Sequence, residues 1–357
     1  MMETSPLRRL APFPKWAEAG DDNSAVILTT RVRLARNLSG VTFPGRMNAE
    51  ERQLMVRRVA QAISTFPDYD QGAFLTLSAL TPVETNVLVE RRAISPQLAQ
   101  DEKPRGVYLW NDADRAIMVC EEDHIRVTEI VPGLAPHEAH SRIAPLVEKL
   151  SATLHFEYHE HLGYLTACPA NLGAAVRTSL FCHLPGLVMT GGIESLASHV
   201  SDAGFTVRGF WGEGSEVLGN TFQFTDGPGL SHQTSDILSR IESLGKEIME
   251  REAIARIDLQ TQKEIILRDK LARALAILQH CRVLSGAETL ALFSAMRLGV
   301  DIGLIDGVSR KDISMLIYEL GKYHLRWTLP GGSSVEVRQT HRANRARSVF
   351  ADARFLG

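Results

Sequence analysis

No window of the 357-residue chain approaches the ~18 uninterrupted apolar residues of a membrane-spanning helix. Export is not expected either, because Met1 to Trp16 carries charges and prolines where a secretory leader needs an apolar run. Cysteine is scarce. Cys120, Cys168, Cys182 and Cys281 stand 48, 14 and 99 residues apart, which fits neither a disulfide framework nor a Cys-x-x-Cys metal knuckle. A reducing cytoplasm is the expected compartment. There is no cationic excess, since 39 Lys+Arg against 42 Asp+Glu leave a formal charge of −3. The overall field therefore attracts neither nucleic acid nor an anionic membrane, and recognition of anions must be local. No G-x-x-x-x-G-K-[ST] loop occurs, and Gly212-Glu213-Gly214 followed by Gly219 does not fit G-x-G-x-x-G. A bound nucleotide would need other donors.

What is present is ample apolar material, 44% of residues, enough for a large core and about two domains. Up to about residue 235, short β-rich runs alternate with turn residues, as in Val107–Trp110, Asn111–Asp114 and Ala116–Val119, a hairpin signature. Ile125–Ile130 follows too soon for a helical crossover, which predicts an antiparallel sheet. Ala49 to Phe66 has helical spacing through Leu54, Val56, Val59, Ala62 and Ile63. From Ser235 onward helix takes over, with Ser285–Glu288 and Ser309–Asp312 as capping signals and Gly321 closing the second of these helices. The expectation is an α+β part over 1–255 and an all-α part over 256–357, the latter ending in a basic tail.

Several residues in these runs can carry chemistry. Arg31 and Arg33 alternate on one strand face, where two planar forks can hold phosphate oxygens, and Arg126 and Arg208 also lie in β-like runs. For any one such arginine, surface ion pairing on a solvated face is the commoner fate. The acidic run Glu121-Glu122-Asp123-His124 crowds carboxylates at a strand end and calls for a cation, either Mg²⁺-nucleotide or a guanidinium; a turn of solvated acids is as compatible with composition. Cys168 precedes a proline that can open a helix, a setting that lowers a thiol pKa, although a buried inert thiol is the ordinary case. His155, His159 and His161 have loose metal-like spacing with no second ligand cluster.

The segments Thr29-Thr30-Arg31-Val32-Arg33-Leu34-Ala35-Arg36-Asn37, Glu121–Arg126, Gly163–Gly173, His183-Leu184-Pro185 and Val207–Glu216 follow one another in this order and belong to a likeness that runs through nearly the whole chain. Together they resemble the phosphagen (guanidino) kinase superfamily and, within it, the bacterial protein-arginine kinases of the McsB type. The resemblance rests most on Arg33–Asn37, Gly212–Glu216 and the helical C-terminal part. Small-guanidine kinases carry an extra helical domain before the first arginine pair, which about thirty residues precede here.

The resemblance implies a phosphagen-kinase-like antiparallel sheet flanked by helices, and ATP with Mg²⁺ as cofactors. It implies that Arg31, Arg33, Arg126, Arg177 and Arg208 cage the nucleotide phosphates, within the runs Thr29–Arg33, Arg177-Thr178-Ser179-Leu180-Phe181 and Arg208-Gly209-Phe210-Trp211-Gly212-Glu213. Arg92 stands where a histidine is usual, and Gly173-Ala174-Ala175 where Gly-Thr-Gly is. Glu122 and Glu213 would grip the acceptor guanidinium, with Glu122 as the base and Cys168 in support. Arg338 and Arg342 would hold phosphoarginine, with Gln339 in place of the motif's acid. Further implications are protein substrates, a homodimer, a zinc-binding activator, a stress-gene repressor and a Clp-type unfoldase that degrades arginine-phosphorylated proteins. Two other readings stay open: a kinase of a free small guanidine, and an impaired adaptor that binds ATP or phosphoarginine proteins.

Overall fold

The computed structural model describes residues 7, 10, 13–18, 25–209, 218–227 and 233–357. Its strands are β1 (Ile27–Arg36), β2 (Gly72–Thr76), β3 (Gly106–Trp110), β4 (Arg115–Val119), β5 (Ile125–Pro132), the short pair β6 (Tyr158–His159) and β7 (Gly163–Tyr164), β8 (Val176–His183), β9 (Phe205–Gly209) and β10 (Thr221–Asp226). Eight of them form one sheet in the order β2-β3-β4-β5-β1-β8-β10-β9, antiparallel at every pairing. The hairpin expected from Val107–Val119 is β3–β4, and β5 returns beside it.

The helices are α1 (Ala49–Ile63), α2 (Pro82–Glu90), α3 (Pro96–Gln100), α4 (Pro136–Leu154), α5 (Pro185–Thr190), α6 (Ile193–Asp202), α7 (Thr234–Gln262), α8 (Glu264–His280), α9 (Gly286–Asp301), α10 (Arg310–Glu319), α11 (Lys322–Thr328) and α12 (Val335–Val349). α1 begins at a full capping box between Asn48 and Glu51 and stops three residues before Phe66; of its expected core residues, Leu54 is 60% exposed. α7 is one continuous helix, so residue 255 falls inside it rather than at a linker. Ser285 caps α9 through the Glu288 amide, and Ser309 makes a reciprocal box with Asp312 at α10. Gly321 does not close α10 in a left-handed turn. Its φ is −56° and it caps α11 instead; a Cβ there would lie 2.7 Å from Glu90 Oε2, so close approach is what requires glycine.

Strand alternation divides the sheet into two faces. Val32, Leu34, Ile117, Val119, Ile125 and Val127 point to the side covered by α1 and α4 and are essentially inaccessible, each stabilising the fold by ~1.5–3 kcal/mol. On the opposite side, α2 and α3 cover only the β2–β4 end, over Val107, Leu109, Ala116 and Met118. In the middle of that face, on β5, β1, β8, β10 and β9, Ile130 is covered by Trp16 and Tyr318, and much of the rest carries polar side chains. A separate core joins α8, α9 and α12 in the C-terminal part.

Candidate active site

The uncovered face is lined by guanidinium groups, and register explains why. Arg31 and Arg33 lie two apart on β1; Arg33 pairs with Arg177 on β8, Ala35 pairs with Arg126 on β5, and Arg208 on β9 pairs with Gln223 on β10. All therefore project to one side, into a cavity of about 700 Å³ whose wall also includes Arg92, Glu121, Glu122, Asp101 and Ala175. Thr29, Ser179 and Phe181 share this face by alternation. Ser179 accepts from Arg33 Nη2 at 3.4 Å and Gln223 from Arg31 Nη2 at 3.4 Å.

Thr30, Val32, Thr178 and Leu180 lie on the other face and their side chains do not reach the cavity. Thr30 donates to the Gly133 carbonyl at 2.6 Å and accepts from the Ala135 amide, and Val32 and Leu180 are core residues. Gly209 ends β9, and Phe210, Trp211, Gly212 and Glu213 lie outside the described residues.

Within the row, burial and like charges outweigh the one carboxylate, Glu121, that acts on Arg31 and Arg33. Burial, then the charges of Arg92, Arg126 and Arg177, push Arg31 down to about 9. Arg33 is driven well below its ordinary value by burial and by Arg31, and its Nε has no hydrogen-bond partner. Arg177 is lowered by burial and then by Arg208 and Arg126. Like charges placed opposite one another cost stability, and a polyanion with several oxygens removes that cost.

At one end of the row the acidic run finds its cation. Arg126 contacts Glu121 through Nη1, and its Nη2 lies 2.8 Å from Glu122 and 3.8 Å from Asp123. A guanidinium from within the chain answers the crowding of carboxylates. Glu121 also accepts from the Ser95 hydroxyl, whereas Glu122 is 44% exposed and faces the cavity. Asp123 is fully buried and accepts from Asn37 Nδ2 at 2.7 Å and from the Ala167 amide at 2.8 Å. It thereby anchors the loop that carries Cys168. That loop is closed where Gly163 (φ +70°) meets Gly173, since a Cβ on Gly163 would lie 2.4 Å from the Gly173 oxygen.

Cys168 is half-buried and opens only a three-residue 3₁₀ turn, Pro169–Asn171, rather than the expected helix. Arg338 and Arg342 are elsewhere, one turn apart on α12 and buried. Arg338 donates to the Gly332 and Ser333 carbonyls at 2.6 and 2.7 Å, and Arg342 to the Leu320 carbonyl at 3.0 Å.

The acidic run names Glu121 and Asp123 without a role for each, and Ser95 and Gln223 are not legible as site residues from the sequence. The signal for Gln223 was its strand alternation in Thr221–Thr225, whereas the Ser95 contact is long-range and leaves no trace in the sequence. In chemical terms the cavity can hold a polyanion along the arginine row and a cation against the carboxylates at its end.

Two family models match the chain: "ATP:guanido phosphotransferase, C-terminal catalytic domain" over residues 54–255 and "Protein-arginine kinase McsB C-terminal domain" over residues 264–355. The protein-arginine kinase of Pelotomaculum thermopropionicum is 35% identical over 308 residues, 85% of this chain and 86% of that protein. That of Moorella thermoacetica is 33% identical over 340 residues, 94% and 97% of the two chains. Among solved structures, a lombricine kinase superimposes with TM-score 0.58 at 20% identity, over 68% of this chain and 72% of the other. A duplicated taurocyamine kinase from Schistosoma mansoni with bound transition state analog components gives 0.59 at 21%, over 71% and 37%. At these identities the structural likeness speaks for the fold: an antiparallel sheet flanked by helices, with a helical C-terminal region.

Proposed function

The chain belongs to the ATP:guanido phosphotransferase family and, within it, to the protein-arginine kinases, and we propose from that membership that it transfers the γ-phosphoryl group of ATP to arginine side chains of proteins. One observation carries the reading at the level of the site. Six arginines, Arg31, Arg33, Arg92, Arg126, Arg177 and Arg208, and the carboxylate of Glu122 share a single cavity.

The chemistry asks for this arrangement. A phosphoryl group in transfer spreads negative charge over its oxygens, so fixed guanidinium groups stabilise it, and Mg²⁺ arriving with the triphosphate supplies further positive charge. The lowered values of Arg31 and Arg33, crowded by like charges, and the orphaned Arg33 Nε fit such a ligand. The acceptor is itself a guanidinium with pKa above about 12, so a carboxylate must hold it and take its proton as the N–P bond forms. We assign that role to Glu122, with Glu213 as the second grip and Cys168 adding negative charge nearby.

Beyond the site, we take residues 1–255 as the catalytic domain and 256–357 as a helical domain that mediates homodimerisation. No helix among the described residues is long and apolar enough to cross a membrane, which is compatible with work in the cytoplasm on stress-damaged proteins. A zinc-binding activator, a stress-gene repressor and a Clp-type unfoldase are the proposed partners. The neighbouring guanidinium groups of Arg338 and Arg342 support a second site for phosphoarginine, with Gln339 leaving its orienting acid unfilled.

The test is transfer of label from γ-³²P-ATP to unfolded casein, with and without excess free arginine. Acid-labile label on casein that free arginine does not suppress supports the reading. Label carried by free arginine instead would identify a small-guanidine kinase, and nucleotide binding without transfer an adaptor.

A further inference from the structure

Two of the groups assigned to the acceptor, Glu122 and Cys168, are carried by different loops. Glu122 lies in the turn between β4 and β5, closed where the Cys120 amide donates to the His124 carbonyl at 3.0 Å, and Cys168 lies between β7 and β8. Asn37, the residue after β1, joins them. It is 1% exposed. Its Oδ1 accepts from the His124 amide at 2.8 Å, and its Nδ2 donates to Asp123 Oδ1 at 2.7 Å and to the Leu165 carbonyl at 3.0 Å. Asp123 Oδ1 accepts in addition from the amide of Ala167, next to Cys168, at 2.8 Å. One side-chain amide thus spends both of its donors and its acceptor on the two loops.

The end of β1 holds the acidic turn a second time. His124 Nδ1 accepts from the Leu38 amide at 3.0 Å, and its Nε2 donates to the Thr42 carbonyl at 2.8 Å. A carbonyl can only accept and Nδ1 here only accepts, so the ring is neutral with its proton on Nε2. This ring fastens the turn to the strand that carries Arg31 and Arg33. The amide of Asn37 does something further, because it reaches from the turn to the loop of Cys168. Asn37 itself does not line the large cavity, so any effect on transfer must pass through the groups it holds.

We infer that Asn37 is a positioning residue for phosphoryl transfer: its amide fixes the turn that bears Glu122 against the loop that bears Cys168, so that base and thiol keep one relative arrangement before the acceptor arrives. A misplacement of about 1 Å at reacting groups costs about a hundredfold in rate, and a buried, fully bonded amide is suited to prevent it. This rests on the proposed phosphotransferase site and adds to it a residue outside the cavity.

The test is MgATP binding and steady-state transfer to casein by the full chain, for wild type, Asn37→Ala and Asn37→Asp. Asn37→Ala is expected to bind MgATP within about threefold of the wild type, which also shows that it is folded, while kcat falls about ten- to a hundredfold. Asn37→Asp keeps the oxygen for the His124 amide but sets a second carboxylate against Asp123 where the donor was. The other charged group beside this pair is Arg126, 3.8 Å from Asp123 Oδ2. At pH 8 this variant should lose as much as Asn37→Ala. As pH falls to 6 its kcat relative to wild type should rise about threefold or more, because the crowded pair takes up a proton and regains a donor. An unchanged kcat in Asn37→Ala, or MgATP binding that weakens in step with kcat, would overturn the inference. So would a ratio for Asn37→Asp that stays flat from pH 8 to pH 6, the mark of a residue that merely supports the fold. Failure of the wild type to phosphorylate casein would overturn the phosphotransferase reading itself, and this inference with it.

Discussion

Arg33 on β1 stands directly opposite Arg177 on β8 in the antiparallel register. Two cations facing each other across strands are worth about 0.2–1 kcal/mol of destabilisation, and here both are half-buried. The pair makes sense as half of an ion pair whose other half is a ligand.

Arg33→Gln should therefore leave the free protein as stable as the wild type or up to about 1 kcal/mol more so, while abolishing the rise in melting temperature that MgATP gives the wild type. Thermal shift with and without nucleotide checks both. A variant that melts much lower without nucleotide would mean that Arg33 supports the fold itself.

Glu122→Gln keeps the size of the side chain and removes its basicity. The account expects kcat for transfer to fall by about 10²–10⁴, with nucleotide affinity changing far less, because Arg126 retains Glu121 as a partner. Cys168→Ala, which removes only a supporting charge, should cost about tenfold or less. Single-turnover rates beside equilibrium binding separate the two.

Ala175 occupies φ +50° in the cavity wall, where its carbonyl accepts from the Ala35 amide at 2.9 Å. A residue with a side chain here holds a left-handed backbone that favours glycine. Ala175→Gly should raise stability by about 0.5–1 kcal/mol, relief of strain exceeding the greater freedom of glycine in the unfolded chain. Urea midpoints measure it.

Burial raises the Asp114 carboxyl to about 7, against about 3.9 in an unfolded chain. A folded value above the unfolded one means that its contribution is complete below about pH 4 and is lost as pH rises through about 7. Asp114→Asn keeps an oxygen for the Trp16 amide, 3.0 Å away, and does not ionise. Relative to wild type it should gain about 1–3 kcal/mol between pH 5 and pH 8 in urea melts; no pH-dependent difference would contradict the assignment.

Local patterns made much of this legible. The period-two placement of Arg31 and Arg33, the hairpin at Val107–Val119 and the caps at Ser285 and Ser309 depend on neighbours in sequence, and the structure has them. Contiguous runs were less informative, because Thr30, Val32, Thr178 and Leu180 sit among arginines yet point into the core. Pairing of Arg33 with Arg177 and of Glu90 with the Tyr323 and His324 amides depends on register and docking across more than a hundred residues, which no local pattern encodes. Gly321 misled for a related reason: the demand on it comes from Glu90, a distant side chain, and not from the helix it follows.

The most direct measurement is mass spectrometry under non-acidic conditions after incubating the purified chain with MgATP and casein. The account predicts phosphate on the guanidinium nitrogen of casein arginines, lost after acid treatment and absent when Glu122→Gln replaces the wild type. Phosphate only on hydroxyl side chains, or arginine phosphorylation undiminished in Glu122→Gln, would contradict it.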